Sequence, residues 1–153
     1  EQGYVSTALR CSREPYGIPI PDAQAGIPAI IMEMIAYSRP GVIEVLPALP
    51  LTLVKGSIKG MLARTFARID ELTWDMHKRT VDITITSLKN QEITLIARYG
   101  INDISASSGI TVKFRKGNAD CVISLPENKP VDIHIELGQH NPLEWAGINY
   151  LLT

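Results

Sequence analysis

Three stretches of strict alternation constrain the fold of this chain more than any other feature. Val81, Ile83 and Ile85 alternate with Asp82, Thr84 and Thr86; Ile110, Val112 and Phe114 alternate with Thr111 and Lys113; Val131, Ile133, Ile135 and Leu137 alternate with Asp132, His134 and Glu136. A period of two puts apolar side chains on one face of a strand and polar ones on the other, so each stretch predicts a half-buried strand in a sheet with one wet face. Weaker apolar patterns predict further strands over 42–46, 57–63, 66–74, 92–99 and 119–125. Turn-forming residues separate them: Lys55-Gly56, Lys89-Asn90, Ser108-Gly109, Lys116-Gly117-Asn118 and Glu127-Asn128-Lys129-Pro130. Eight short strands with no helix between them predict a mainly β fold, an antiparallel β-sandwich. With 153 residues, 45% of them hydrophobic, the chain has enough material for one packed core.

In front of this sheet the period changes. Between Gly26 and Ser38, Ile27, Ile30, Ile31, Met34 and Ile35 recur at steps of three and four; Pro28 suits a first helical turn, and Arg39-Pro40-Gly41 supplies a stop. One apolar α-helix over 26–38 is expected, preceded by a looped lead-in that Pro15, Pro19, Pro21, Gly3 and Gly17 keep from regular structure. Glu33 and Tyr37 are nearly the only polar interruptions on this helix, which therefore needs cover on most sides. It is expected to fold onto one sheet or to mediate self-association, because large exposed apolar patches rarely persist in soluble monomers.

Charge excludes some partners. Fifteen basic against sixteen acidic residues give a net charge of -1, without a cationic block to neutralise phosphates, so neither nucleic acid nor a membrane surface is an expected partner. No apolar run approaches the roughly 18 residues that span a bilayer. The first residue is Glu1 rather than Met, and the chain is expected to be part of a longer protein.

The sequence holds no Gly-rich phosphate loop, no Cys-x-x-Cys pair, no His-Glu-x-x-His and no Gly-x-Ser-x-Gly elbow, so no cofactor or metal is expected. His77, His134 and His140 are dispersed and read as solvated side chains. Cys11 and Cys121 read as two buried thiols, which pair only if the fold brings their Cα atoms within about 7 Å. Trp74 reads as core; Trp145, near Asn141 and Glu144, is a candidate for stacking on a sugar ring. Asp22 is the carboxylate in the most informative setting. It follows Pro21, precedes Ala23-Gln24-Ala25-Gly26, and stands where it could cap the helix or be held rigidly beside a substrate.

Three segments carry a resemblance: Asp22 to Gly26 with the following Ile30-Ile31-Met32-Glu33-Met34, then Gly41-Val42-Ile43-Glu44-Val45-Leu46-Pro47-Ala48-Leu49-Pro50, and then Gly56-Ser57-Ile58-Lys59-Gly60-Met61-Leu62-Ala63-Arg64. Together they resemble the carboxyl-terminal part of glycoside hydrolase family 95, the α-L-fucosidase and α-L-galactosidase family. Its patterns there are Asp-Gly-Asn-Phe-Gly, a helix with Ala-Glu-Met-Leu, Ile-x-Leu-Leu-Pro-Ala-Leu-Pro, and Gly-x-Val-x-Gly-Leu-x-Ala-Arg. Glu33 lies eleven positions after Asp22 (33 − 22), as in the family pattern.

The resemblance implies an amino-terminal β domain, a catalytic (α/α)6 barrel and a carboxyl-terminal β-sandwich in the parent enzyme. Residues 1–40 would then be the loop and helix that end the barrel, and 41–153 the sandwich. It implies inverting hydrolysis of a glycan, with Asp22 at the position near the attacking water and the acid-supplying Glu and water-orienting Asn residues upstream. Gln24 replaces the motif's Asn and Ala25 its Phe, which alters the floor of the sugar pocket and makes Gln24, with Trp145, a candidate substrate-binding residue. The implied partners are the glycan substrate and the barrel of the same parent chain, and the implied location is secreted or periplasmic. The chain alone would be silent, since hydrolysis needs a second group opposite Asp22. The alternative is a noncatalytic accessory sandwich or carbohydrate-binding module, with Trp145 or Tyr150 stacking on sugar, or one that only buttresses the barrel.

Overall fold

The structure is a computed structural model that describes residues 21–139, with side chains described from residue 26. Helix α1 (Pro21–Ile35) leads directly into ten strands: β1 (Ala36–Arg39), β2 (Val42–Val45), β3 (Lys55–Ala63), β4 (Ala67–Asp75), β5 (Thr80–Ser87), β6 (Gln91–Ala97), β7 (Ile101–Ala106), β8 (Val112–Phe114), β9 (Asp120–Leu125) and β10 (Pro130–Leu137). They form two five-stranded sheets, ordered β1-β2-β6-β9-β8 and β3-β4-β5-β10-β7. This is the expected mainly β sandwich preceded by one helix.

Two of the three alternating stretches become strands for the expected reason; in the third only Val112–Phe114 is a strand, at the edge of its sheet, where Phe114 is exposed rather than buried. Along β10 each of Val131, Ile133, Ile135 and Leu137 is buried, whereas Asp132 and Glu136 are exposed. Ile83 and Ile85 of β5 pair with Ile133 and Val131 of β10, so their apolar faces coincide. From the other sheet Ile43, Leu95 and Ile123 are fully buried, and one continuous apolar cluster joins both sheets. Burial at roughly 25 cal/mol per Å² of apolar surface is the main force holding the layers together.

Several details differ from the sequence reading. β1 and β7 were not expected as strands: Ala36–Arg39 continues the helical pattern without a break, and in β7 the buried Ile101 and Ile104 are spaced by three. The described helix, Pro21–Ile35, reaches further toward the amino terminus than expected and ends earlier, with Pro28 inside it rather than in its first turn. It ends there because Leu46 and Ala48 donate their amides to the carbonyls of Ile35 (2.7 Å) and Met34 (3.2 Å), while Ala36 onward pairs with β2. Orphan carbonyls at a helix end are thus satisfied by a neighbouring loop. Lys55-Gly56 is the start of β3 and not a turn. The β2–β6 pair is parallel, because the chain crosses to the other sheet for β3, β4 and β5 before β6 returns beside β2.

The helix does not fold onto a sheet face. Ile27, Ile30, Ile31 and Met32 are 43%, 61%, 49% and 40% exposed, and Ile35, at the helix end, is buried. The physical reason is connectivity: α1 runs without a linker into β1, an edge strand, and is held at its carboxyl-terminal end by the loop that follows β2.

Candidate functional site: the helix–sandwich junction

The segments that carry the family resemblance converge on one place. The last turns of α1, the β1–β2 hairpin, the loop after β2 and the turn after β3 all meet there, and Arg64 in that turn binds two of them. Its Nη2 lies 2.6 Å from Glu33 Oε1 on the helix, its Nη1 donates to the Ser38 carbonyl at 3.4 Å, and its amide donates to Ser38 Oγ at 2.9 Å. The guanidinium also lies over the Tyr37 ring, 5.9 Å from its centroid, within cation–π range.

The next residue continues the stitching. Thr65 is buried, its Oγ1 accepts from the Gly41 amide at 2.9 Å, and its carbonyl accepts from Gln91 Nε2 at 2.7 Å. Gly41 sits in the tight β1–β2 turn at φ 75°, a left-handed conformation that favours glycine. The hairpin that receives the helix is therefore tied to the opposite sheet through Arg64 and Thr65, residues of one turn.

Beneath the helix lies an ion pair. Glu44 of β2 stands opposite Tyr37 of β1, its side chain only 9% exposed, and pairs with Arg98 just beyond β6. Hydrogen bonding to Glu44 raises the Arg98 pKa despite partial burial. The pair lies in a cleft of about 470 Å³ that Ile30, Met34, Tyr37 and Pro47 also line. On the other side of the helix a smaller cavity, about 170 Å³, is lined by Met32 and Ala36 and by Met61 and Leu62 of β3. Glu33 borders both cavities, so the helix crosses the junction with space on either side.

Asp22 and Gln24 lie in the amino-terminal part of α1, and their side chains fall outside the described ones. The capping reading placed Asp22 just before the helix; its backbone is itself helical. Trp145, Tyr150, His140 and Cys11 lie outside the described residues. Trp74 is in the core as expected, 6% exposed, with its Nε1 donating to the Leu53 carbonyl at 2.9 Å. Cys121 is buried, and burial, followed by the nearby Asp120 charge, pushes its thiol up to about 12.

Sequence reasoning missed the polar pairs made by strand register. His134 Nδ1 lies 2.6 Å from Asp82 Oδ1, and Thr84 Oγ1 donates to Asp132 Oδ1 at 2.8 Å, across the β5–β10 ladder on its exposed face. Once those two alternating strands are paired antiparallel, their polar positions are the signal that finds both contacts. Among the described residues no group of three or more His, Cys, Asp or Glu side chains could hold a metal ion, and no helix is long and apolar enough to cross a membrane.

Fold and junction together define a β-sandwich domain entered through an exposed apolar helix and clamped to it at one edge. The family model for the glycoside hydrolase family 95 C-terminal domain matches residues 37–134, so the chain belongs to that family. A comparison with curated proteins returned no match.

Proposed function

We propose that this chain is the carboxyl-terminal part of an inverting glycoside hydrolase of the α-L-fucosidase type, secreted or periplasmic, acting on glycans. Residues 1–40 close the catalytic barrel of the parent enzyme, and 41–153 brace it. The observation that carries this reading is the exposed apolar surface at Ile30 and Ile31 on the helix whose other end bears Asp22. Membership in family 95 supports a barrel as the surface that covers it.

In this reading Asp22 helps to activate the attacking water, and Gln24 contributes to the sugar pocket. An inverting enzyme needs its general acid across the scissile bond, with the two carboxyl groups about 6.5–9.5 Å apart. Glu33, the next carboxylate along the helix, is about 16 Å from Asp22 along the axis at 1.5 Å per residue, too far to serve. In this reading the general acid lies upstream in the parent enzyme, and the chain alone is catalytically silent.

The test compares this chain and the parent enzyme on an aryl α-L-fucoside, with proton NMR of the first-formed sugar. The expected result is no turnover by the chain and release of the β-anomer by the parent. Turnover by the chain alone, or first release of the α-anomer, would overturn this reading.

A further inference from the structure

We infer that Arg64 is a positioning residue for the active site: by gripping Glu33 it helps to set the direction of α1 and so the placement of the backbone that carries Asp22. This rests on the reading of Asp22 given above and adds a residue from the opposite sheet to the apparatus. Arg64 touches neither sugar nor water in this scheme. It acts through the helix.

The geometry singles out this side chain. Leu46 and Ala48 hold only the last carbonyls of α1, and so fix where the helix ends but not the direction in which it points. The Arg64–Glu33 contact at 2.6 Å grips the helix by a side chain, while the backbone of Arg64 is itself fixed to Ser38 at 2.9 Å. In this chain without the barrel, the cavities flanking the helix leave it room to swing if that grip is released. With the pivot at Ile35, about 20 Å from Asp22 along the axis, a swing of about 3° moves the Asp22 backbone by about 1 Å. A misplacement of about 1 Å costs on the order of a hundredfold in rate.

Magnitudes separate this role from simple stabilisation. The Arg64 and Glu33 side chains are 61% and 47% exposed, and an exposed pair adds little to global stability. Its removal should barely move the unfolding midpoint yet still alter helix placement.

Two measurements test the inference. In this chain, amide hydrogen exchange of residues 29–35 is followed in wild type, Arg64→Ala, and the charge-reversed double variant Glu33→Arg/Arg64→Glu. The expected result is faster exchange in α1 of Arg64→Ala, by up to about fivefold, with β5 and β10 unchanged and recovery in the double variant. Unchanged helix exchange in Arg64→Ala, or loss of protection across the sheets as well, overturns the grip. In the parent enzyme, Arg64→Ala is expected to lower kcat by about twofold to fivefold, the most an exposed pair can contribute, with KM held within about twofold, and Arg64→Lys to recover part of it. An unchanged kcat overturns the positioning role. Asp22→Asn, run alongside, separates the two ideas: if it leaves the rate intact the catalytic reading fails, whereas the exchange result still decides the grip.

Discussion

Gly56 lies directly against the Trp74 indole: a Cβ built on Gly56 would come within 2.3 Å of the Trp74 ring. The ring cannot easily give way, since it is buried and its Nε1 is bonded to the Leu53 carbonyl. Gly56→Ala is therefore expected to destabilise the chain by about 1–3 kcal/mol, the usual cost of overpacking a filled site. Urea unfolding followed by Trp fluorescence checks this. A midpoint equal to wild type would mean that the ring relocates without cost.

The Glu44–Arg98 pair makes a second prediction. Arg98→Ala leaves a buried carboxylate without its partner and should cost about 1–3 kcal/mol. Replacing both residues, as in Glu44→Gln/Arg98→Met, should cost less than Arg98→Ala alone, because no uncompensated charge stays buried. Chemical denaturation of the single and double variants measures the difference.

Acid titration should report on Asp70. Burial pushes its pKa up, but hydrogen bonds from Thr86 Oγ1 (2.6 Å) and Arg68 Nε (2.5 Å), with the Arg68 charge, outweigh burial and hold it below 3.8. A carboxyl with a lowered folded pKa stabilises the fold above its unfolded pKa, and that contribution is lost as pH falls through the folded value. Asp70→Asn should therefore lose less stability than wild type between about pH 5 and pH 2. Urea midpoints across that range decide it, and parallel curves for the two proteins would contradict it.

Cys121 should be inert while the chain is folded. A thiol raised to about 12 holds almost no thiolate at neutral pH, and the side chain is buried as well. Peptide mapping after brief iodoacetamide treatment at pH 8 should find Cys121 unmodified in native protein and alkylated in denaturant. Rapid native labelling would mean that β9 opens readily.

What the sequence made legible, and what it did not, follows from the range of the interactions. β5 and β10 could be read directly, because a period of two is a local signal and the buried face enforces it at every second residue. β1 could not, because Ala36–Arg39 becomes a strand only through pairing with β2. Lys55-Gly56 looked like a turn because glycine at that point meets a tertiary demand, the Trp74 ring, that no local pattern encodes. The junction was half legible: the segments that build it stood out by family resemblance, but nothing local told that Glu33 and Arg64, 31 residues apart, would meet.

The exposed helix makes a prediction for the isolated chain. With Ile30 and Ile31 61% and 49% exposed, the chain without a barrel to cover it is expected to self-associate. Sedimentation velocity should show concentration-dependent association that Ile30→Gln/Ile31→Gln removes. A monomer at all concentrations would contradict it.

The proposal that this chain completes a hydrolase active site is tested most directly by the kcat of Asp22→Asn in the parent enzyme. A group that activates water contributes typically 10²–10⁴-fold, so a loss of that size with an unchanged unfolding midpoint is the expected result. A wild-type rate in Asp22→Asn would contradict it and leave the sandwich as a brace alone.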